Sequence, residues 1–170
     1  MSPDPQGRAG PSNQEAPLHL VLFEPRIPQN TGTIGRLCVA TATPLHLIEP
    51  LGFSLADRYL KRAGLDYWPE VRLTVWPDLA AYLEVHPERR MVASSARRGE
   101  PYHRFPFAKG DSLLLGPEDT GLPKEVWSRF PDRITIPFWG PVRSLNLANS
   151  AAVLAYRFFE RIGGLDDYPG

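Results

Sequence analysis

Short apolar runs at Leu18–Phe23, Leu45–Ile48, Val71–Val75, Met91–Ser95, Ser112–Leu115 and Ile134–Ile136 alternate along the chain with segments that read as helices. Strand and helix in alternation predict an α/β fold: a mostly parallel sheet of about six strands with helices on both faces. In open sheets of this kind ligands bind beyond the carboxyl ends of the strands. The loops that follow the strands are therefore where chemistry is expected.

The last of these units is the most informative. Ile134–Ile136 stops at Pro137, an aromatic and glycine loop follows, and Ser144 opens a helical segment that runs to Arg161. At ~100° per residue, Asn146, Asn149, Ser150, Arg157, Glu160 and Arg161 share a strip of roughly 120°, and the apolar residues cover roughly 200°. A surface helix usually buries a stripe only somewhat over ~100° wide. The helix is thus expected to pack on its own sheet and on a second body, with Ala148, Ala151, Ala152 and Ala155 at a dimer seam; a central core helix of a monomer is the alternative. Ser144 and Asn146 stand where unpaired N–H groups favour an oxygen-rich ligand, although Ser144 also suits a plain N-cap.

Basic and acidic residues balance at 19 each, so an RNA or DNA partner has to be held by local patches rather than a global field. Sixteen of the basic residues are arginine, which suits phosphate and stacked bases and would equally follow from a GC-rich genome. The single Cys38 excludes an intrachain disulfide and is compatible with a reducing compartment. His19, His46, His86 and His103 are scattered without metal-ligand spacing, so no metal is expected. No apolar run reaches the ~20 residues of a membrane span and no signal-peptide core is present; a soluble, cytoplasmic protein is expected. Residues 1–17 are rich in proline, glycine and small polar residues and read as a disordered lead-in. Residues 18–170 read as one domain.

Three separated loops after strands, Asn30 to Arg36, Gly116 to Gly121 and Pro137 to Asn146, carry candidate residues, with further basic residues between them. After the first strand, Glu24–Asn30 is a proline-stiffened loop and Thr31–Ala42 a helix whose one charge, Arg36, is either salt-bridged or aimed at a ligand. Arg58, Lys61 and Arg62 fall on one helical turn; this is a solvated face or, with Tyr67-Trp68 beside it, part of an RNA surface. Arg97 and Arg98 follow the small strand exit Ser94-Ser95 and form a second candidate wall. Pro101–Phe107 carries no clear signal. The Gly116–Gly121 spacing is no Walker loop, because Leu122 stands where lysine is needed, and neither GxGxxG nor GxSxG is present.

EPRIPQNTGTIGRLC, LLLGPEDTGLP and IPFWGPVRSLNLANSAAVLAY resemble, in that order, motifs one, two and three of the SPOUT RNA methyltransferases. Leu18 to Arg161 as a whole, RAGLDYW included, is similar to their TrmL branch, the tRNA (cytidine/uridine-34) 2′-O-methyltransferases. The resemblance implies a deep trefoil knot formed by Ile134–Asn146, a homodimer through the C-terminal helix, and S-adenosylmethionine as cofactor without a metal. It implies backbone contacts to that cofactor at Gly116, Ile136 and Leu145, with Ser144, Ser94 and Ser95 beside them. It places Asn30, Arg36, Glu118, Ser144 and Asn146 in the catalytic set and the anticodon stem-loop of tRNA, leucine isoacceptors foremost, as substrate. Arg36 would grip a phosphate and stabilise alkoxide charge; a guanidinium is hard to deprotonate, which speaks against a general base. Asn30 would orient Arg36 or the substrate, and Glu118 would hold the arginine or accept a hydrogen bond. Arg58, Lys61, Arg62, Tyr67, Arg97 and Arg98 are the RNA-binding candidates. The sequence departs from the branch in the bulky Phe138-Trp139-Gly140-Pro141 and in Ala148, where serine is common. Another tRNA position, ribosomal RNA, or a non-catalytic RNA-binding role are the competing readings.

Overall fold

The computed structural model describes residues 16–168 other than Asp57, Gly64 and Leu65, and leaves out the side chains of Tyr59, Lys61 and Ala63. The lead-in expected over residues 1–17 thus lies outside the described residues as far as Glu15. Its last two residues are tied to the body: Gly110 N–H donates to the Pro17 carbonyl at 2.8 Å, and Arg89 donates to the Ala16 carbonyl.

The elements are β1 (Leu18–Phe23), α1 (Pro28–Ala40), β2 (Leu45–Ile48), α2 (Arg58–Ala63), β3 (Leu73–Trp76), α3 (Leu79–Val85), β4 (Arg90–Ser94), β5 (Glu100–Pro101), β6 (Asp111–Leu115), α4 (Lys124–Arg129), β7 (Arg133–Thr135) and α5 (Leu147–Arg161). The strands form one seven-stranded sheet in the order β3-β2-β1-β6-β4-β7-β5, and every pairing is parallel. Alternation along β1 sorts its side chains. Leu18, Leu20 and Leu22 pack with Ile34 and Cys38 of α1 and with Leu154 and Phe158 of α5. Val21 and Phe23 pack on the other face with Leu79 and Tyr82 of α3 and Trp127 of α4. Both faces are covered, which is why the strands read as continuous apolar runs.

Among the bounds that differ from the sequence reading, three have a plain physical cause. Pro28, assigned above to a stiff loop, occupies the start of α1, where its missing N–H costs nothing and its fixed φ suits the helix. The segment without a clear signal begins with the two-residue edge strand β5, which is too short and polar to show a strand pattern. Helix α5 begins at Leu147, not Ser144, because the Asn146 side chain accepts from Asn149 N–H and caps it. Three of the alanines expected at a dimer seam face inward. Ala148, Ala151 and Ala155 are buried in the protomer's own core, while Val153 and Tyr156 stand exposed on α5. Cys38 is core, as expected, and burial pushes its thiol well above the ordinary value.

Three of the four histidines that are scattered in sequence meet in space. His19, His46 and His86 are buried and stack with Trp76 and Tyr82, beside the chain starts of β1 and β2. Their ligand atoms lie within 4.8 Å of one another. Trp76 Nε1–H donates to His46 Nδ1 at 3.0 Å, so the proton of the neutral ring sits on Nε2, and Nε2 offers no lone pair to an ion. Burial first, then the positive fields of His19, His86, Arg89 and Arg72, holds the His46 pKa well below its ordinary value; burial followed by Arg89 lowers that of His86. A histidine kept neutral in the fold takes up its proton only on unfolding. Stability is therefore full above the unfolded pKa of ~6.5 and falls as pH drops below it, by up to about 1.4 kcal/mol per pH unit for His46. Urea unfolding at pH 7.5 and pH 5.0 should show this loss; equal midpoints would refute it.

Candidate active site

Loops that leave β4, β6 and β7 meet beyond the carboxyl ends of the strands and enclose a cavity of about 450 Å³. Its walls are Ser94 to Arg98 from the exit of β4, Leu115 to Leu122 after β6, and Ile136, Phe138 and Arg143 to Leu145 after β7. All the residues assigned to the cofactor from sequence, Gly116, Ile136, Leu145, Ser144, Ser94 and Ser95, line it. Gly116 is there for a steric reason: a Cβ on it would lie 2.3 Å from Leu122 N and 2.5 Å from the Gly121 carbonyl carbon. The loop doubles back at Gly121, whose φ of +67° favours glycine,. The result is a wall of bare backbone and apolar side chains, with four serines (Ser94, Ser95, Ser144 and Ser150) and several charged residues among them.

Glu118 joins this cavity to α1. The N-cap residue of α1, Ile27, offers no side-chain acceptor, and the carboxylate supplies what is missing. Glu118 Oε2 accepts from Arg26 N–H at 2.9 Å and Oε1 from Ile27 N–H at 3.1 Å, which also places negative charge at the positive end of the helix. Asn30 Nδ2 donates to Glu118 Oε1 at 3.4 Å, and Asn146 Nδ2 donates to Asn30 Oδ1 at 3.1 Å. Asn146 thereby ties the start of α5 to the start of α1. Alongside, the Arg26 guanidinium pairs with Asp119 at 2.9 Å, a contact that carries no signal in the residue pattern.

Arg36 is not part of this network. It lies six residues after Asn30, which on a helix is roughly 9 Å along the axis and about 120° round it. Its exposed guanidinium stands over the Tyr67 ring, 5.6 Å from the centroid. Tyr67 O–H donates to the Gly32 carbonyl at 3.0 Å, one turn before Arg36, so ring and hydroxyl brace the same turn. Burial raises the Tyr67 pKa, partly offset by Arg36, and the phenol stays protonated. Trp68 closes on the same helix, since a Cβ on Gly35 would lie 2.7 Å from Trp68 Cζ3. Of the two roles expected of Glu118, the structure shows the hydrogen-bond acceptor and not the hold on Arg36; Asn30 is held by Glu118 and Asn146 and does not reach Arg36, and the Tyr67-Trp68 pair packs against α1.

Of the other RNA candidates, Arg58 and Arg62 are exposed on α2, and the Lys61 side chain lies outside the described residues. Arg98 lines the cavity. Arg97 stands over Phe138, 5.8 Å from the ring centroid, and donates to the Val142 carbonyl at 3.4 Å. Lys124 and Arg143 also line the cavity and were missed; Lys124 directly follows the motif-two stretch and Arg143 lies within that of motif three, where their charge was the available signal.

Residues 17–156 match the SpoU rRNA Methylase family. The chain is 44% identical over 148 residues to the tRNA (cytidine(34)-2'-O)-methyltransferase of Aeromonas hydrophila subsp. hydrophila, covering 86% of this chain and 95% of that protein. A solved structure concerned with the 2-OH methylation of C/U34 on tRNA superposes with a TM-score of 0.84 at 50% identity, covering 88% of this chain and 99% of that one. The SpoU methyltransferase AviRb of Streptomyces viridochromogenes, in complex with AdoMet, shares the fold at a TM-score of 0.77 and 21% identity, over 86% of this chain and 58% of its own.

Proposed function

We propose that the chain, which belongs to the SpoU rRNA Methylase family, is a cytoplasmic enzyme that methylates the ribose 2′-oxygen of cytidine or uridine 34 in tRNA with S-adenosylmethionine. The observation that carries this reading is the cavity: the loops of motifs two and three and the exit of β4 converge on one bare-backbone wall at Gly116. Its mixed lining suits a nucleoside joined to an amino acid. Backbone at Gly116, Ile136 and Leu145 would take the base, and the hydroxyls of Ser94, Ser95 and Ser144 the polar groups. When bound there, the sulfonium supplies an activated methyl group. Methyl transfer to the ribose 2′-oxygen would exchange the carbon–sulfur bond for a carbon–oxygen bond, leaving a neutral thioether and releasing the hydroxyl proton to solvent.

The protein's own work is placement and charge. Arg36 serves as a cation for the adjoining phosphate and for developing alkoxide charge, held by Tyr67. In its own protomer Arg36 does not line the cavity, and a homodimer that brings the exposed Val153 and Tyr156 face of α5 against a second copy is the arrangement we infer for completing the site. The threading of Ile134–Asn146 through a knot, implied by the resemblance, belongs to the same proposal. What supports it is the position of β7, the last strand in the chain, between β4 and β5.

Purified protein should transfer labelled methyl from S-adenosylmethionine to tRNA that lacks the modification, at position 34 and no other. A mapped methyl elsewhere would move the target, and no transfer together with no cofactor binding would end the enzyme reading. Tyr67 is assigned as a positioning residue and is tested separately. Tyr67→Phe keeps the ring under Arg36 and should retain most turnover. Tyr67→Leu removes ring and hydroxyl, worth about 0.5–1 and about 1 kcal/mol respectively, and should lower kcat roughly tenfold. Equal kcat for the two variants would show that the ring does not hold Arg36.

A further inference from the structure

We infer that Trp139 is a base-stacking post of the RNA-binding surface, engaging an unpaired base of the loop that carries the acceptor ribose. The inference rests on the RNA methyltransferase reading above and extends it to a residue which that reading leaves unused. Trp139 is 94% exposed, an unusual state for the largest apolar side chain. Its setting is built. Phe138 on one side is held beneath Arg97, and on the other side Val142 N–H donates to the Gly140 carbonyl at 2.9 Å while the Val142 carbonyl accepts from Arg97. One guanidinium thus pins both shoulders of the loop and leaves the indole standing between them.

The location selects the occupant. Trp139 is three residues from Ile136 in the cavity wall and so within about 10 Å of it. The cavity beside it is lined by Arg97, Arg98, Lys124 and Arg143 against Glu118 and Asp119, a local excess of positive charge in a chain whose net charge is zero. A twofold axis through this patch itself, as distinct from the α5 contact inferred above, would crowd the two sets of cations together. A nucleic acid neutralises them instead, and an aromatic face accepts any unpaired base without reading its edge.

The test uses the full chain, S-adenosylmethionine and an anticodon stem-loop RNA unmodified at position 34. Trp139→Ala should weaken RNA binding roughly 5- to 100-fold, the effect of removing one base–aromatic stack. Cofactor affinity, sedimentation behaviour and the slope of affinity against salt should stay unchanged, because no phosphate contact is lost. Trp139→Phe should restore most of the binding. Unchanged RNA affinity in Trp139→Ala overturns the inference. A fall in RNA affinity that accompanies dissociation of an oligomer also overturns it, by assigning the indole to a second copy. If the unsubstituted protein neither binds nor methylates the RNA, it is the functional reading that fails.

Discussion

Arg36→Ala is expected to lower kcat by at least about a hundredfold, the range lost when a group that stabilises transition-state charge is removed. The unfolding midpoint and the affinity for S-adenosylmethionine should be unchanged. The separation follows from where the side chain sits. It is exposed, lies outside the cavity lining, and meets the protein through the Tyr67 ring, a contact worth about 0.5–1 kcal/mol at an exposed site. Arg36→Lys keeps the charge and loses the planar fork, so partial activity is expected if the charge itself matters. Full activity in Arg36→Ala would remove Arg36 from the mechanism and leave Tyr67 as a structural clamp alone.

Gly116→Ala is expected to abolish cofactor binding. The added carbon would meet Leu122 N at 2.3 Å and the Gly121 carbonyl carbon at 2.5 Å; both are backbone atoms of the same loop, so no side chain can swing aside. The loop must open, and the wall it forms opens with it. Overpacking of this kind typically costs about 1–3 kcal/mol, which a domain of ordinary stability survives, so the variant should fold with a lowered midpoint and without cofactor binding. Gly140→Ala is the matched control, because a Cβ there meets nothing within 4 Å. Retained affinity in Gly116→Ala would show that this stretch of backbone is not a cofactor wall.

The sheet was legible because strands buried on both faces are almost wholly apolar, as LHLVLF and SLLL are apart from His19 and Ser112. Strand β5 was not, since Glu100-Pro101 is held by its neighbour β7 and not by its own composition. At the helix ends the residues offered more than one candidate. Ser144 was read as the cap, and what gives that place to Asn146 is a side-chain oxygen that reaches the N–H of Asn149. The cavity residues were found because chemistry follows strand ends and the motifs name those ends. The partners of Glu118 were not, because motif order does not show which loop touches which helix. Reading Pro28 as loop also hid a fact the sequence does contain: with α1 begun at Pro28, Asn30 and Arg36 cannot share a face. Tyr67-Trp68 misled for a different reason. An aromatic pair has the same appearance whether it stacks on bases or on glycines, and only the small residues at Gly32 and Gly35 hint at the latter.

Glu118 has one oxygen committed to each of two backbone N–H groups at the start of α1, and its own backbone lies in the cavity wall. Occupancy of the cavity and order in the first turn of α1 are then parts of one equilibrium. A cofactor that firms the Gly116–Gly121 loop also firms the helix carrying Arg36, and by reciprocity an RNA held on Arg36 tightens the cofactor by the same factor. Binding would then be synergistic rather than ordered, with each ligand's dissociation constant measured in the presence of the other falling below its value alone.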